Sequence, residues 1–205
     1  RESPSDTGKV LTRYIDAIMV RTFDHAELEE LAAAAEVPVI NGLTDTHHPC
    51  QALADLLTVR EQFGRVEGTK IAYVGDGNNV AHSLAIGCAL TGARLSIAHP
   101  EGHGPDGEVV RLSAELGEPP KLTQDPEEAV AGAQVVYTDV WASMGQEAEA
   151  EERRKRFAPY QVDERLMSLA ADDAIFLHCL PAHRGEEVAA SVIDGPRSRV
   201  FDQVE

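Results

Sequence analysis

Short apolar runs rich in β-branched residues alternate with longer helix-like segments along most of the chain, and this alternation constrains the fold more than any other feature. The runs at residues 17–21, 37–41, 70–75, 93–99, 134–139, 174–179 and 198–201 have the length and composition of strands. They are continuously apolar rather than alternating, which suits strands covered on both faces. Helical patterns fall between them at 25–35, 49–63, 78–92, 126–132 and 147–156. Asp125, Pro126 and Glu128 make a helix start, with a capping carboxylate followed by proline at the first helical position. The expected fold class is α/β, with two parallel-sheet modules flanked by helices on both faces and a Rossmann-like second module.

The polar, glycine-flanked stretch "GRVEG" after Phe63 marks a module boundary, dividing the chain into 1–64 and 65–205. The first part then holds two strand candidates, too few for a complete sheet, so the N-terminal module is expected to be truncated. Residue 1 is arginine rather than methionine, which also suggests a processed or excised piece.

Eighteen basic against 35 acidic side chains give a formal charge of −17, which argues against nucleic acid as a partner. No stretch approaches the roughly 18 consecutive apolar residues of a membrane span, so no membrane partner is expected. Three cysteines without CxxC spacing suit a reducing compartment, the cytoplasm, better than a disulfide framework or a zinc ribbon.

In an open parallel sheet, ligands gather beyond the carboxyl ends of the strands. The strand ends here lead to Arg21, to "THHPCQ" (46–51), to "GDGNN" (75–79), to "TDVWASMG" (138–145) and to "HCLPAH" (178–183). Pro49 suits the first position of a helix and His48 its cap, with Leu53, Leu56 and Leu57 on one helix face. The helix amides, a neutral His48, the Gln51 amide and the planar fork of Arg21 would favour an anion or a polarised carbonyl. Taken alone, His48 reads equally as a capping or packing residue.

"GDGNN" resembles a dinucleotide loop only weakly: Val80 stands where a third glycine belongs, and the next strand ends in His99-Pro100 where an acidic residue would hold the ribose. Its glycines are better read as a tight turn exposing Asn78 and Asn79, whose amides could hold a carboxylate. Cys179 could serve as a nucleophile or could orient or deprotonate an incoming amine, but adjacent His178 should point to the opposite face. Cys88 reads as a buried core thiol. Asp139 could fix an ammonium group under a closing Ser143-Met144-Gly145 loop, or could cap a helix. His47, His48, Cys50, His178, Cys179 and His183 lack the spacing of a zinc site, so no metal is expected.

Together, "VPVINGLTD" (37–45), "HPCQ" (48–51), "VGDGNNVAHS" (74–83), "DVWASMG" (139–145) and "HCLP" (178–181) resemble the ornithine carbamoyltransferases of the aspartate/ornithine transcarbamylase family, in order and over essentially the whole chain. The resemblance implies carbamoyl transfer from carbamoyl phosphate to the δ-amine of ornithine, giving citrulline and phosphate in arginine metabolism, without a cofactor. It implies that Arg21, His48 and Gln51 bind carbamoyl phosphate. Asn79, Asp139, Ser143 and Met144 would bind ornithine, and Cys179 with Leu180 would lie near the carbamoyl group and the amine. Arg21, His48, Asp139 and Cys179 would carry the chemistry. It also implies a homotrimer when complete, with 1–64 as the end of the carbamoyl phosphate-binding domain and 65–205 as the ornithine-binding domain. The family's earlier Ser-x-Arg-Thr loop, an arginine after the segment matching "VFDQVE" and a final helix have no counterpart here, so a fragment, weak or inactive alone, is expected. A noncatalytic remnant, an acceptor such as putrescine or acylated ornithine, and a nicotinamide-dependent oxidoreductase are the competing readings.

Overall fold

The computed structural model describes residues 2–142 and 150–204. The chain opens with α1 (Pro4–Leu11), β1 (Ile18–Arg21), α2 (His25–Ala34), β2 (Val39–Leu43) and α3 (Pro49–Phe63). Strands β1 and β2 pair in parallel as a two-stranded sheet, with a register shift between Val20 and Arg21. Each helix start has a local cause: Ser3 accepts from the Asp6 amide and Asp24 from the Ala26 amide, while α3 begins with Pro49, whose missing N–H costs nothing there. Gly64, at φ 72°, ends α3 in the left-handed conformation that glycine adopts without steric penalty.

The second part runs β3 (Lys70–Val74), α4 (Asn79–Thr91), β4 (Arg94–Ala98), α5 (Gly107–Leu116), β5 (Lys121–Thr123), α6 (Pro126–Val130), β6 (Val135–Tyr137), α7 (Ala150–Phe157), α8 (Glu164–Met167), β7 (Ile175–Leu177), α9 (Ala190–Ile193) and α10 (Val200–Gln203). Its five strands are all parallel in the order β5-β4-β3-β6-β7. The chain leaves β3 toward β4 and later returns to β3's other side with β6. The crevice beyond the ends of β3 and β6 is therefore the switch point where a ligand is best received. Side chains alternate across the sheet: Ile71 and Tyr73 join one buried cluster with Leu56, Leu84 and Tyr137, whereas Ala72 and Val74 join another with Val136, Val162 and Phe176. Cys88 lies in the first cluster, and burial pushes its thiol well up.

Several sequence expectations need correction. Residues 198–201 do not form a strand: Ser198 makes one isolated bridge to Phe176, and Val200 already begins α10. The strand predicted at 174–179 is shorter, so His178 and Cys179 lie beyond its end. The charged helix starts at Ala150, and 147–149 lie outside the described residues. On α3, Leu56 is buried but Leu53 and Leu57 are exposed; the inward face is Ala52, Asp55, Leu56 and Val59. β5, α1 and α5 were not expected, because β5 is only three residues long and both helices carry many polar residues.

Gly77 meets the 104–105 backbone so closely that an added Cβ would lie 2.2 Å from both the Gly104 carbonyl carbon and the Pro105 nitrogen. No flexible side chain can yield there. Gly77→Ala should lower unfolding free energy by about 1–3 kcal/mol in a urea titration, whereas an unchanged midpoint would show that this approach is not tight.

Candidate active site

The loop between β2 and α3 is tied to the N-terminal turns of α4 by three hydrogen bonds. The Asn79 amide donates to the Thr44 carbonyl at 2.7 Å, the His48 N–H donates to the Ser83 hydroxyl at 2.7 Å, and His82 Nδ1 lies 2.9 Å from the Thr46 carbonyl. The Asp106 N–H donates to His82 Nε2 at 3.0 Å, so the His82 proton belongs on Nδ1, where it reaches Thr46. The two sheets thus meet along a seam, and of the expected site residues His48 and Asn79 take part in the bonds that close it.

His48 occupies the cap position of α3 but makes no side-chain capping bond, and its buried Nδ1 has no partner among the described residues. The capping role is therefore not the one it plays. Burial lowers its pKa, as does the Arg21 guanidinium at the end of β1, while Asp139 acts in the opposite direction. His48 is consequently held toward the neutral imidazole, which can donate one hydrogen bond to a carbonyl oxygen. Gln51 stands in the first turn of α3 and donates through Nε2 to Asp55 at 2.9 Å.

Across the seam, the Asp139 carboxylate is buried after β6. It accepts from the Asn78 amide at 2.7 Å on one oxygen and from the Cys179 thiol at 2.9 Å on the other. Asn78 is itself oriented, because its side-chain oxygen caps α4 through the Val80 and Ala81 amides and accepts from the Tyr73 hydroxyl. Burial, and then Asp139, push the Cys179 thiol well above its ordinary range. A thiol so placed is a hydrogen-bond donor to Asp139, and burial beside that carboxylate disfavours its thiolate.

Leu180 follows with φ 52°, a left-handed conformation unusual for a branched side chain, and its N–H donates to His178 Nδ1 at 2.9 Å. His178 Nε2 reaches buried Glu187 at 3.2 Å, yet a ring nitrogen of His178 also lies within 4.8 Å of the Asp139 and Cys179 ligand atoms, so the two residues are not separated onto opposite faces as expected: both lie beyond the end of β7. Asn78 and Asn79 are half-buried rather than exposed, and it is Asn78 that touches Asp139, while Asn79 spans the seam. Ser143 and Met144 lie outside the described residues. The Asp139 carboxylate is taken by Asn78 and Cys179 rather than by a helix start.

The ligand atoms of Asp139, His178 and Cys179 lie within 4.8 Å of one another, as do those of His183, Glu186 and Glu187. Both His178 nitrogens are already engaged, and Glu186 pairs with Arg154 at 2.9 Å, so neither group offers a free ligand set as it stands.

Sequence reading missed Asp55. This carboxyl is 1% exposed, and its Oδ1 accepts from Gln51, from Gln203 on α10 at 2.5 Å and from the Tyr137 hydroxyl at 3.4 Å. Burial raises its pKa to about 7, against the pull of the Gln51, Gln203 and Tyr137 donors. A single acid within "QALADLL", four residues after Gln51 and hence on the same helix face, was the available signal.

The two sheets of this α/β protein thus set a helix start and a histidine held toward neutrality on one side of a seam, and a buried carboxylate–thiol pair on the other. Residues 67–205 match the Asp/Orn binding domain, and residues 1–61 the carbamoyl-P binding domain, of the aspartate/ornithine carbamoyltransferases. Ornithine carbamoyltransferase of Symbiobacterium thermophilum is 61% identical over 208 residues, covering 100% of this chain and 67% of that protein. The Pyrococcus furiosus ornithine carbamoyltransferase structure superposes with TM-score 0.94 at 57% identity, covering 98% of this chain and 66% of that one. The Giardia lamblia ornithine transcarbamoylase structure still gives TM-score 0.91 at 36% identity, covering 98% of this chain and 69% of that one. The chain belongs to the aspartate/ornithine carbamoyltransferase family. It spans about two-thirds of the length of the curated relatives it matches.

Two measurements check this electrostatic account. Between about pH 4 and pH 7 the folded chain retains an Asp55 proton that the unfolded chain releases, so Asp55 makes stability fall as pH rises through that window. Ionised, the buried carboxyl costs roughly 4 kcal/mol. Asp55→Asn should flatten the decline in urea-unfolding free energy between pH 4 and pH 7.5; a parallel decline in both proteins would contradict the raised pKa. For the thiols, iodoacetamide at pH 7.5 should label exposed Cys50 at least about 10-fold faster than Cys179. Equal rates would mean that Cys179 is not held protonated.

Proposed function

We propose that the protein transfers the carbamoyl group of carbamoyl phosphate to the δ-amine of ornithine, releasing citrulline and phosphate. The observation that carries this reading is the buried Nδ1 of His48 at the start of α3, which has no partner among the described residues, with the charges of Arg21 and Asp139 bearing on the ring from either side of the seam. A polar atom so placed is suited to a carbonyl oxygen, and the helix start and Arg21 to the adjoining phosphate. The names of the relatives and the two matched domains support the substrates. Residues 1–64 form part of the half that binds carbamoyl phosphate, and 65–205 the half that binds ornithine.

Arg21 and the α3 amides hold the phosphate, while His48 and Gln51 hold the carbamoyl group. Asp139 draws in the amino acid and orients its nitrogen, with Asn79, Ser143, Met144 and Leu180 completing the ornithine pocket. An alkyl ammonium must first lose a proton to become nucleophilic. The neutral amine then attacks the carbamoyl carbon, and neutral His48 with Arg21 stabilises the oxyanion, an electrostatic contribution of the kind that dominates acyl transfer. Collapse breaks the carbon–oxygen bond to phosphate, which takes the electron pair and then the nitrogen's second proton, leaving as hydrogen phosphate. The Cys179 thiol takes no proton in this sequence: it steadies Asp139. A trimeric assembly and a cytoplasmic setting belong to the same proposal, the latter supported by three free cysteines.

The test is citrulline formation by the natural full-length protein, with putrescine as competing acceptor. Ornithine should be carbamoylated and putrescine should not, and His48→Ala should lower turnover about 100-fold without a comparable loss of stability. Absence of citrulline, or unchanged turnover in the variant, would refute the reading or the role of His48 respectively.

A further inference from the structure

The Gln51 side-chain amide has two ends, and only one can face a ligand. Four hydrogen bonds decide which. The His178 backbone N–H donates to Gln203 Oε1 at 3.0 Å, and a backbone N–H can only donate. Gln203, 2% exposed, must therefore turn its Nε2 the other way, where it reaches Asp55 Oδ1 at 2.5 Å and the Tyr137 hydroxyl at 3.1 Å. The Tyr137 hydroxyl, receiving from Gln203, has its own proton free for Asp55 Oδ1 at 3.4 Å. With two donors already aimed at it, Oδ1 is an acceptor, and the group Gln51 presents to it at 2.9 Å must be the Nε2 donor. Protonation of Asp55 does not reverse this, because the proton can reside on Oδ2, which is buried and has no hydrogen-bond partner among the described residues.

The Gln51 oxygen is left without a hydrogen bond among the described residues. We infer that Asp55 is a positioning residue that fixes Gln51 with its oxygen toward the substrate, so that the site selects a phosphoryl donor carrying N–H groups over an isosteric one that carries a methyl. The inference rests on the reading of Gln51 as a carbamoyl phosphate ligand and deepens it: the carbamoyl NH2 is the only hydrogen-bond donor on the carbamoyl group, and a carbonyl acceptor is its natural complement. An amide free to turn would offer either end and would tolerate acetyl phosphate, whose methyl asks for no acceptor. A site built to accept a substrate N–H rejects the analogue lacking it because the acceptor is then left unpaired.

The experiment compares dissociation constants of carbamoyl phosphate and acetyl phosphate, measured calorimetrically, for the natural full-length protein and its variants. The unmodified protein should prefer carbamoyl phosphate. Asp55→Ala should reduce that preference about tenfold, Asp55→Asn, which keeps an acceptor oxygen, should largely retain it, and Asp55→Ala should cause no further reduction in a Gln51→Leu background. An unmodified protein without preference, an undiminished preference in Asp55→Ala, or an additional loss in the Gln51→Leu background would each overturn the inference. Should Asp55→Ala not fold, Asp55→Asn decides alone, since a tenfold loss there would show that the acceptor oxygen is not what matters. Citrulline formation by the unmodified protein, read separately, tests the underlying transfer reaction, so failure of either is recognised apart from the other.

Discussion

The structure depends on a carboxyl group buried where the two sheets meet. Asp55 is the buried carboxyl of α3, the helix that carries His48 and Gln51 at its start and leads directly into the second sheet. Its partners come from three separate places in the chain: Gln51 on the same helix, Tyr137 at the end of β6, and Gln203 on α10, 148 residues away. Burying a carboxyl is unfavourable unless it is hydrogen-bonded, and here three donors converge on one oxygen. The register of α3 against the ends of β6 and β7 is thereby specified, as apolar packing alone would not specify it.

From that joint the site follows. Tyr73 stacks on Tyr137 with ring centroids 5.6 Å apart, and its hydroxyl reaches Asn78, which holds one oxygen of Asp139; the Cys179 thiol holds the other. On the opposite side, His48 and Gln51 are placed by the α3 start, while Asn79, His82 and Ser83 of α4 grip the preceding loop. Burial tunes the titratable groups in complementary senses, keeping His48 neutral and Cys179 protonated. What results is a preorganised set of donors and acceptors, with the Asp139 carboxylate held between Asn78 and Cys179.

Much of this was legible in the sequence because it is local. The long apolar runs of β3 and β4 and the helix starts at Pro49 and at Asp125-Pro126 depend on neighbouring residues, so periodicity and capping rules found them. The strand ends then pointed to Arg21, His48, Asp139 and Cys179 before any distance was known. What escaped depends on partners distant in the sequence. The direction of the Cys179 proton is set by Asp139 and by burial. The choice of Asn78 over Asn79 as the contact to Asp139 is set by how α4 meets the β2–α3 loop. Residues 198–201, β-branched and aromatic in part, satisfied a strand pattern but begin a short helix that delivers Gln203 to Asp55. The Asp55 network was invisible as a whole, since only its Gln51 link is local.

The central claim is that the start of α3 receives a carbamoyl phosphate whose nitrogen meets the Gln51 oxygen while Asp55 retains the Gln51 nitrogen. A crystal structure of the natural full-length protein with carbamoyl phosphate bound tests it most directly. The account predicts the carbonyl oxygen within hydrogen-bond distance of His48, the carbamoyl nitrogen within that distance of Gln51 Oε1, and an intact Gln51–Asp55 bond. A ligand bound away from the α3 start, or held there with Gln51 released from Asp55, would contradict it.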